Sequence, residues 1–361
     1  MMKAQAQTQK ISAVISKSIL KSYRPSSVAI KAATNLIKKY DNFILTTHIK
    51  SDADGIGSQI GLYYLLKALK KKCVIINSEA PPNYLDFITN GTPIHVAREL
   101  SSQAGASSLE GLKLTKKYFG LILDSSEEKR SQEVLDILKK EGIPWGSIDH
   151  HDITKKKNFC VDNSYAATAE MVWDLYKTFK VKINSIAAHA MYTGIVADSG
   201  NFRFPKTSLR THLAGGDLIA SGVHSDFIYR KVYESNPMDR LIYMGRIYKN
   251  LFIDREHGIA MAFVTKKTKK GLELGDSANE GIVNQFLAAN GINVAVLATQ
   301  TEDNLMKASL RSIGDIDVSK VAQQFNGGGH KNAAGLKANL PFKKAKKVLL
   351  EALQQAVIIT K

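Results

Sequence analysis

Short β-rich runs alternate with helical stretches between Asp41 and about Ser235, and this alternation constrains the fold more than any other feature of the chain. The pattern is typical of an α/β protein in which helices join parallel strands. All of the runs except the second end beside polar residues. Because the carboxyl ends of parallel strands meet at one edge of a sheet, we expect these residues to share one crevice. The predicted strands are Phe43–Thr47, Cys73–Ile76, Tyr118–Leu123 and Trp145–Ile148.

A second pattern begins after Ser235, where a helical connector leads into mixed strands and helices. At 361 residues the chain exceeds the usual size of a domain with one core. We therefore predict an N-terminal parallel-sheet domain and a smaller C-terminal α+β domain. The predicted segments are a basic N-terminal arm over 1–25, the first domain over 26–235, a helical linker over 236–256 and the second domain over 257–361.

The composition narrows the function without fixing it. The 50 Lys and Arg residues exceed the 33 Asp and Glu residues and give a formal net charge of +17, which favours anionic ligands such as nucleic acids and phosphorylated metabolites. The same charge also fits an ordinary basic protein. No apolar run approaches the roughly 18 residues that a membrane span needs, so we expect no membrane association. Cys73 and Cys160 cannot build a disulfide framework, which favours the reducing cytoplasm.

Three side chains of the kind that bind metals lie in one short turn after the first predicted strand. They are His48, Asp52 and Asp54. Two carboxylates one residue apart in a crevice repel each other and need a nearby cation. A divalent metal ion would supply that positive charge.

Further acids and histidines occupy comparable positions elsewhere in the first domain. Asp124 follows an apolar strand, the run Asp149–His151 follows another, and Asp198 closes a short apolar stretch. A single Asp in such a place is more often a turn former or a helix cap. Four segments that converge on one edge of a sheet nevertheless predict a joint metal site.

Oxygen and imidazole donors together suit Mn²⁺, with Mg²⁺, Fe²⁺ or Co²⁺ as alternatives. The number of candidate ligands indicates two ions, which would clamp the attacking and leaving oxygens of a phosphoryl centre. One carboxylate must then lie between the ions. Asp124, at the centre of the predicted sheet, is the candidate.

Three other interpretations of the first turn fit less well. A calcium loop requires ligands at positions five and twelve, where this chain has Ile56 and Tyr63. In a haloacid dehalogenase the nucleophilic Asp directly follows an apolar strand, whereas polar residues precede Asp52. Gly55 and Gly57 imitate a dinucleotide-binding fingerprint, but they come late after the strand and the acids beside them would repel a pyrophosphate.

The ordered motifs resemble those of the DHH phosphoesterase superfamily, which is named for the run Asp-His-His. The resemblance extends from about Phe43 to Leu340 and is closest to the two-domain DHH/DHHA1 oligoribonucleases, or nanoRNases, that also dephosphorylate 3′-phosphoadenosine 5′-phosphate (pAp). It identifies the first domain as a DHH domain and the second as a DHHA1 domain, and it implies that the active site lies in the cleft between them. The motifs that carry it are His48–Ser58, Asp124, Asp149–His151, Asp198–Phe204 and Gly327–His330.

The resemblance also implies roles for individual residues. Asp124 would lie between two metal ions, Asp149 would orient its neighbours, and His151 would contact the substrate phosphate. The implied metal ligands are His48, Asp52, Asp54, Asp124, His150 and Asp198. The implied catalytic residues are Asp124, Asp149, His150 and His151. The implied substrate contacts are His151, Arg311, Ser312, Gly327, Gly328, Gly329 and His330, the last four in a glycine-rich turn.

We therefore expect two Mn²⁺ ions, with Mg²⁺ or Co²⁺ as substitutes, to support hydrolysis of short RNA to nucleoside monophosphates and of pAp to AMP. The alternative is hydrolysis of linear dinucleotides such as pApA in cyclic-dinucleotide turnover. A nucleic-acid-binding protein without catalysis is a third interpretation, which only the net charge favours. The expected partners are short RNA, dinucleotides and pAp, and the sequence is compatible with a homodimer.

Overall fold

The computed structural model describes residues 25, 27–98, 114–151, 156–279 and 281–360, so the predicted N-terminal arm lies almost entirely outside it. The chain divides into two compact units at the boundary between Ser235 and Asn236. Each unit has its own sheet and its own apolar core. None of the described helices combines the length and the apolarity needed to cross a membrane.

The sheet of the first unit is parallel, as the alternating pattern predicts. Its strand order is β3-β2-β1-β4-β5-β6, and every described neighbouring pair is parallel. The α/β fold class is therefore confirmed. Strands β1, β4 and β5 are adjacent, so the three strands that end on polar residues deliver them to one edge. The strands are β1 (Asn42–Thr47), β2 (Lys72–Asn77), β3 (Ile94–Val96), β4 (Tyr118–Leu123), β5 (Trp145–Asp149) and β6 (Phe159–Val161).

Helices cover both faces of this sheet, and helix α2 is the most deeply buried of them. Nearly every residue of α2 up to Leu66 is buried, because this helix is apolar on most sides and lies between the sheet and helix α6. The helices are α1 (Val28–Lys39), α2 (Ala53–Ala68), α3 (Asp86–Thr89), α4 (Gln132–Lys140), α5 (Thr168–Phe179), α6 (Ser185–Asp198), α7 (Leu209–Ala220) and α8 (Ser225–Tyr233).

Glycine allows helices α2 and α6 to approach closely. A side chain at Gly57 would overlap the carbonyl oxygen of Ala190, and one at Gly61 would meet Met191. On the other helix, a side chain at Gly194 would come within 2.8 Å of a carboxylate oxygen of Asp54. The small residues therefore place the start of α2 directly against α6.

The second unit contains a mixed sheet. Its strand order is β11-β12-β10-β9-β8-β7, in which only the β8–β9 pair is parallel among the described pairs. The smaller α+β unit predicted after the parallel sheet is thus present. The strands are β7 (Phe252–Asp254), β8 (Ile259–Val264), β9 (Val294–Gln300), β10 (Met306–Ser312), β11 (Gly328–His330) and β12 (Ala333–Ala338).

Helix α9 covers one face of this sheet, and its side chains Tyr243 and Ile247 are fully buried in the core of the second unit. The segment interpreted from sequence as a linker is thus packed into that unit. Helix α13 covers the other face. The helices of this unit are α9 (Met238–Lys249), α10 (Lys266–Lys269), α11 (Ile282–Phe286), α12 (Val318–Gln323) and α13 (Phe342–Thr360).

Candidate metal centre

Asp52 both caps a helix and faces the candidate site. Its Oδ1 accepts hydrogen bonds from the backbone N–H groups of Asp54 (3.1 Å) and Gly55 (3.0 Å), so it is the N-cap of α2. Its Oδ2 lies 3.7 Å from Nε2 of His48. The capping role that usually explains an Asp at this position therefore leaves one oxygen free for a cation.

Asp54 is completely buried, and the beginning of another helix holds it. The backbone N–H groups of Thr168 and Ala169, at the N-terminus of α5, donate to its two oxygens at 2.6 and 2.8 Å. These donors and the positive end of the helix dipole favour a carboxylate. Burial and the nearby charges of Asp198 and Asp52 nevertheless outweigh them and raise the pKa of Asp54 to about 7.

Asp124 follows strand β4 in a left-handed backbone conformation (φ 63°), which Asp tolerates better than most residues. Its N–H donates to the carbonyl of Ile148 at 3.0 Å, and this hydrogen bond attaches the turn after β4 to strand β5. Its Oδ2 lies 3.5 Å from Nε2 of His48, and its Oδ1 lies 3.5 Å from Nε2 of His150. One buried carboxylate therefore presents its two oxygens to two different histidines.

His150 directs Nε2 toward several carboxylates. This nitrogen lies 3.0 Å from Oδ2 of Asp198, 3.5 Å from Oδ1 of Asp124 and 3.8 Å from Oδ2 of Asp54. The opposite nitrogen, Nδ1, lies 3.3 Å from the carbonyl oxygen of Tyr165, a position that favours the tautomer with a free Nε2. Burial alone would lower the pKa of His150, but the acids Asp198 and Asp54 raise it to about 9.

His48 is buried, and its two ring nitrogens have different surroundings. Nε2 faces Asp52 and Asp124, whereas Nδ1 lies 2.9 Å from the carbonyl oxygen of Ile49 and 2.8 Å from a guanidinium nitrogen of Arg130. Burial lowers the pKa of His48, and the charge of Arg130 adds to that effect. Sequence reasoning missed Arg130, whose contact with His48 spans 82 positions and leaves no local signal.

Asp149 and His151 form a separate pair beside the metal candidates. Oδ1 of the buried Asp149 accepts hydrogen bonds from Nδ1 of His151 at 2.7 Å and from its backbone N–H at 3.1 Å. Although burial acts in the other direction, these hydrogen bonds lower the pKa of Asp149. The half-exposed His151 ring therefore has its Nδ1 engaged, so that only Nε2 is available to a ligand.

Potential ligand atoms come together in overlapping groups at this edge of the sheet. We call His48, Asp52 and Asp124 the first cluster, and Asp54, His150 and Asp198 the second cluster; within each, one ligand atom per residue lies within 4.8 Å of the others. A third group joins Asp124, His150 and His151, but Nδ1 of His151 is occupied by Asp149. Asp198 reaches the site from the end of helix α6, whereas Asp124 and His150 follow strands.

The charge balance of the two clusters fits divalent metal ions. Burial and the surrounding carboxylates raise the pKa of Asp124 well above its usual value, because a buried carboxylate is poorly solvated and the neighbouring negative charges repel it. Oxygen donors from four carboxylates and nitrogen donors from two imidazoles suit a hard or borderline cation. The donor set could therefore hold metal ions, and such ions would remove the repulsion.

The substrate contacts predicted in the second unit lie at one end of the sheet. Arg311 on β10 pairs with Ala333 on β12, which pairs with His330 on β11, so these three residues share one row of the sheet. Ser312 is nearby but buried, and its hydroxyl donates to the carbonyl of Ile316 at 2.7 Å and accepts from Asn332 at 2.9 Å. The Ser312 hydroxyl thus stabilises the turn after β10.

The glycine-rich segment is not the turn that the sequence suggested. Gly328–His330 form the edge strand β11, antiparallel to β12. Gly329 has φ 142°, which disfavours other residues, and a side chain at Gly327 would overlap the backbone of Gly335. Glycine is therefore required by backbone conformation and by close strand packing. An edge strand still presents backbone N–H groups outward, where an anion can approach.

Two lysines that sequence reasoning missed lie on the same face of the sheet. Lys307 and Lys337 are exposed and directly opposite each other on β10 and β12. They share the face of Arg311, because side chains two or four residues apart along a strand point the same way. Their alternation with buried residues was visible in the sequence, but the pairing of the strands was not.

Comparison with known proteins assigns both units. The DHH family, N-terminal domain, matches residues 42–195, and the DHHA1 domain matches residues 253–358. A curated relative, the bifunctional oligoribonuclease and PAP phosphatase NrnA of Bacillus subtilis, is 28% identical over 306 residues, which are 83% of this chain and 90% of that protein.

Two further comparisons extend this result. The crystal structure of an exopolyphosphatase-related protein from Bacteroides fragilis superimposes with a TM-score of 0.80 at 26% identity and covers 92% of this chain and 97% of that chain. The cyclic-di-AMP phosphodiesterase GdpP of Geobacillus thermodenitrificans is 24% identical over 340 residues, which are 89% of this chain but only 48% of that protein.

Metal binding should release protons and should tighten as the pH rises. Without metal, the pKa of Asp54 is about 7 and that of His150 about 9, so both groups carry protons at pH 6 that a cation must displace. We expect the Mn²⁺ affinity to rise up to about tenfold per pH unit for each proton displaced. Calorimetric titrations at pH 6, 7 and 8 in buffers of different ionisation enthalpy measure both quantities.

The Asp54→Asn variant should release fewer protons at pH 6 than the unmodified chain, and it should also bind Mn²⁺ more weakly because Asp54 is a candidate ligand. An affinity that does not change between pH 6 and pH 8 would show that the ion binds away from these groups.

Proposed function

We propose that this chain degrades short oligoribonucleotides to nucleoside monophosphates and converts pAp to AMP. The premise is that it belongs to the DHH/DHHA1 phosphoesterase superfamily and hydrolyses phosphate esters. The observation that supports this proposal most is the position of Asp124, whose Oδ2 faces His48 of the first cluster and whose Oδ1 faces His150 of the second. The match along most of its length to a bifunctional oligoribonuclease and PAP phosphatase supports the substrate class.

In this proposal the first cluster would hold one Mn²⁺ ion and the second cluster another, with Asp124 available to both and with Mg²⁺ or Co²⁺ as substitutes. When bound, the ions supply Lewis-acid polarisation of phosphoryl oxygens and lower the pKa of water. The protein holds its ligands in place before an ion arrives. Asp52 is fixed as a helix cap and Asp54 by the start of α5, so little rearrangement accompanies binding.

His151 is assigned to the substrate phosphate. Its Nδ1–H donates to Asp149, which orients the ring. The opposite nitrogen, Nε2, is left for contact with the substrate phosphate. Asp149 therefore acts through His151 as a positioning residue and has no contact of its own with the substrate in this proposal.

Arg130 is assigned a second phosphate contact. For Nε2 of His48 to bind a metal ion, Nδ1 must carry the proton and donate it to the carbonyl of Ile49. A guanidinium N–H cannot donate to that same protonated nitrogen. The nearby Arg130 then needs another acceptor, and a phosphate oxygen at the metal centre is the partner that a guanidinium binds best.

In the second unit, the proposal assigns the remaining phosphates of the substrate to Arg311, His330 and the outward N–H groups of strand β11. Burial of Arg311 lowers its pKa, although a guanidinium stays charged at any physiological pH. Lys307 and Lys337 enlarge the basic face around Arg311. A short chain of nucleotides carries few phosphates, which suits so small a set of contacts.

A side-by-side assay tests the substrate assignment. With Mn²⁺ present, purified protein should hydrolyse end-labelled RNA of two to five nucleotides and pAp with higher kcat/KM than RNA of ten nucleotides. The Asp124→Asn variant should lose about a thousandfold in rate, since the metal ions contribute several kcal/mol to the transition state. Asp226→Asn removes an exposed carboxylate and should leave the activity unchanged.

The relationship to a cyclic-di-AMP phosphodiesterase makes pApA the informative competitor in that assay. A higher kcat/KM on pApA than on other short oligoribonucleotides and pAp would assign the chain to cyclic-dinucleotide turnover instead. Full activity of Asp124→Asn would contradict the two-metal assignment.

Replacing Arg130 by Ala should lower kcat/KM about 10- to 100-fold, the range expected for the loss of a charged hydrogen bond to phosphate. Arg130→Lys should restore part of the loss, and Lys129→Ala, which removes the adjacent exposed charge, should change little. Mn²⁺ affinity should stay the same in all three variants. If Arg130→Ala instead weakens Mn²⁺ binding in proportion to the lost activity, Arg130 supports His48 and does not contact the substrate.

A further inference from the structure

A basic pocket lies at the edge of the second unit's sheet, where strand β8 continues beyond its partner β7. Strand β7 begins at Phe252, which pairs with Met261, so no residue of β7 pairs with the last residues of β8. The cavity measures about 680 Å³. Its lining residues are Arg246, Asn250, Phe263, Thr265, Lys267, Thr268, Lys270 and Lys346.

The lining carries four cationic side chains and no carboxylate. Arg246 is held in place, because one of its guanidinium nitrogens donates to the carbonyl oxygens of Thr268 (3.1 Å) and Lys270 (2.8 Å). The Lys346 ammonium lies 3.7 Å from the centre of the Phe263 ring. At least two of the charges are therefore fixed at the cavity by contacts that do not neutralise them.

Lysines just outside the cavity are paired differently. Lys266 lies 2.8 Å from Glu302, and Lys347 lies 3.9 Å from Glu351. The four cationic lining residues take part in no ion pair within the described part of the chain. They are Arg246, Lys267, Lys270 and Lys346. The cations that face the cavity are thus available to an anion. Burial lowers the pKa of Lys346, and a bound anion would favour its charged form.

The pocket lies at the β8 end of the sheet, whereas His330 lies at the β11 edge and Arg311 lies on β10 between them. His330 lies on β11 at one edge of the sheet, and Phe263 lies on β8, four strands away in the order β11-β12-β10-β9-β8. At about 4.8 Å between neighbouring strands, the separation across the sheet alone is roughly 19 Å. One phosphate group cannot contact both places.

The chemistry of the lining identifies the class of ligand. A cavity of this size accommodates a small molecule rather than a single phosphate ion. Its cations come from three elements, α9, the α10 region and α13, so a ligand must carry several anionic groups to reach them all. Base stacking is disfavoured, because the Lys346 ammonium covers one face of Phe263 and the ring packs against the apolar core.

We propose that this pocket binds an oligophosphate, a ligand with two or more linked phosphate groups such as a nucleoside triphosphate or inorganic tripolyphosphate. Arg246 binds one phosphate through its fixed guanidinium, and Lys267, Lys270 and Lys346 bind the others as mobile point charges. All of the lining residues belong to the second unit and none is a candidate metal ligand, so the proposed binding requires neither metal ions nor hydrolysis.

The test measures tripolyphosphate binding to the full chain by calorimetry, in EDTA and at about 0.15 M salt to screen non-specific attraction. The pocket variant is Lys267→Gln with Lys346→Gln, which removes two charges but keeps most of each side chain. The control variant, Lys344→Gln with Lys347→Gln, removes two exposed charges from α13 outside the lining. Thermal unfolding of each variant confirms that it is folded.

We expect the pocket variant to weaken tripolyphosphate binding at least tenfold and the control variant to change it less than twofold. An equal loss of affinity in both variants would show that binding depends only on net charge, and it would overturn the proposal. Binding that survives in the pocket variant but is lost in Arg311→Ala would place the ligand at Arg311 and would also overturn the proposal.

Two further ligands identify the source of the phosphates. Equal affinities for ATP and tripolyphosphate would mean that only the phosphate chain is recognised, whereas tighter binding of ATP would identify a nucleoside polyphosphate site. Either result supports the proposal if the pocket variant no longer binds ATP and tripolyphosphate. An RNA hexamer that binds more tightly than either ligand and is lost in the pocket variant would overturn it in favour of a polynucleotide path.

Discussion

The mutual repulsion of carboxylates at one edge of the parallel sheet is the constraint on which the rest of the first unit depends. Asp54 and Asp124 are both buried, and the exposed Asp52 and half-buried Asp198 add negative charge beside them. A folded chain accommodates such a group when hydrogen bonds hold the carboxylates and either bound protons or a cation reduce their charge. The start of helix α5 provides the hydrogen bonds, and the clusters of ligand atoms provide the place for cations.

The packing of helices in the first unit also positions the candidate metal ligands. Helix α2 carries Asp54 on its first turn, and α6 carries Asp198 on its last. The two helices can meet closely because Gly57 and Gly194 have no side chains at their contact. Gly194 also lies against Asp54 itself, so a larger residue there would displace a candidate ligand. Close helix packing thus sets the distance between the acids.

Much of this organisation was predictable because it is local. Strands that end on Asp124 and His150 are visible as apolar runs followed by polar residues, and a parallel sheet gathers such ends at one edge. The contact between Arg130 and His48 was not predictable, since it depends on how a loop folds over a distant turn. The conformation of Gly328–His330 was also missed, because three glycines indicate a turn unless the pairing partner β12 is known.

The position of metal ions around Asp124 tests the central claim most directly. Crystals of the full chain soaked in Mn²⁺ and measured at the manganese absorption edge reveal the ions by anomalous scattering. The account predicts two peaks roughly 3.5–4 Å apart, one on each side of Asp124, with the first beside His48 and the second beside His150. A single peak, or two peaks of which neither contacts Asp124, would contradict it.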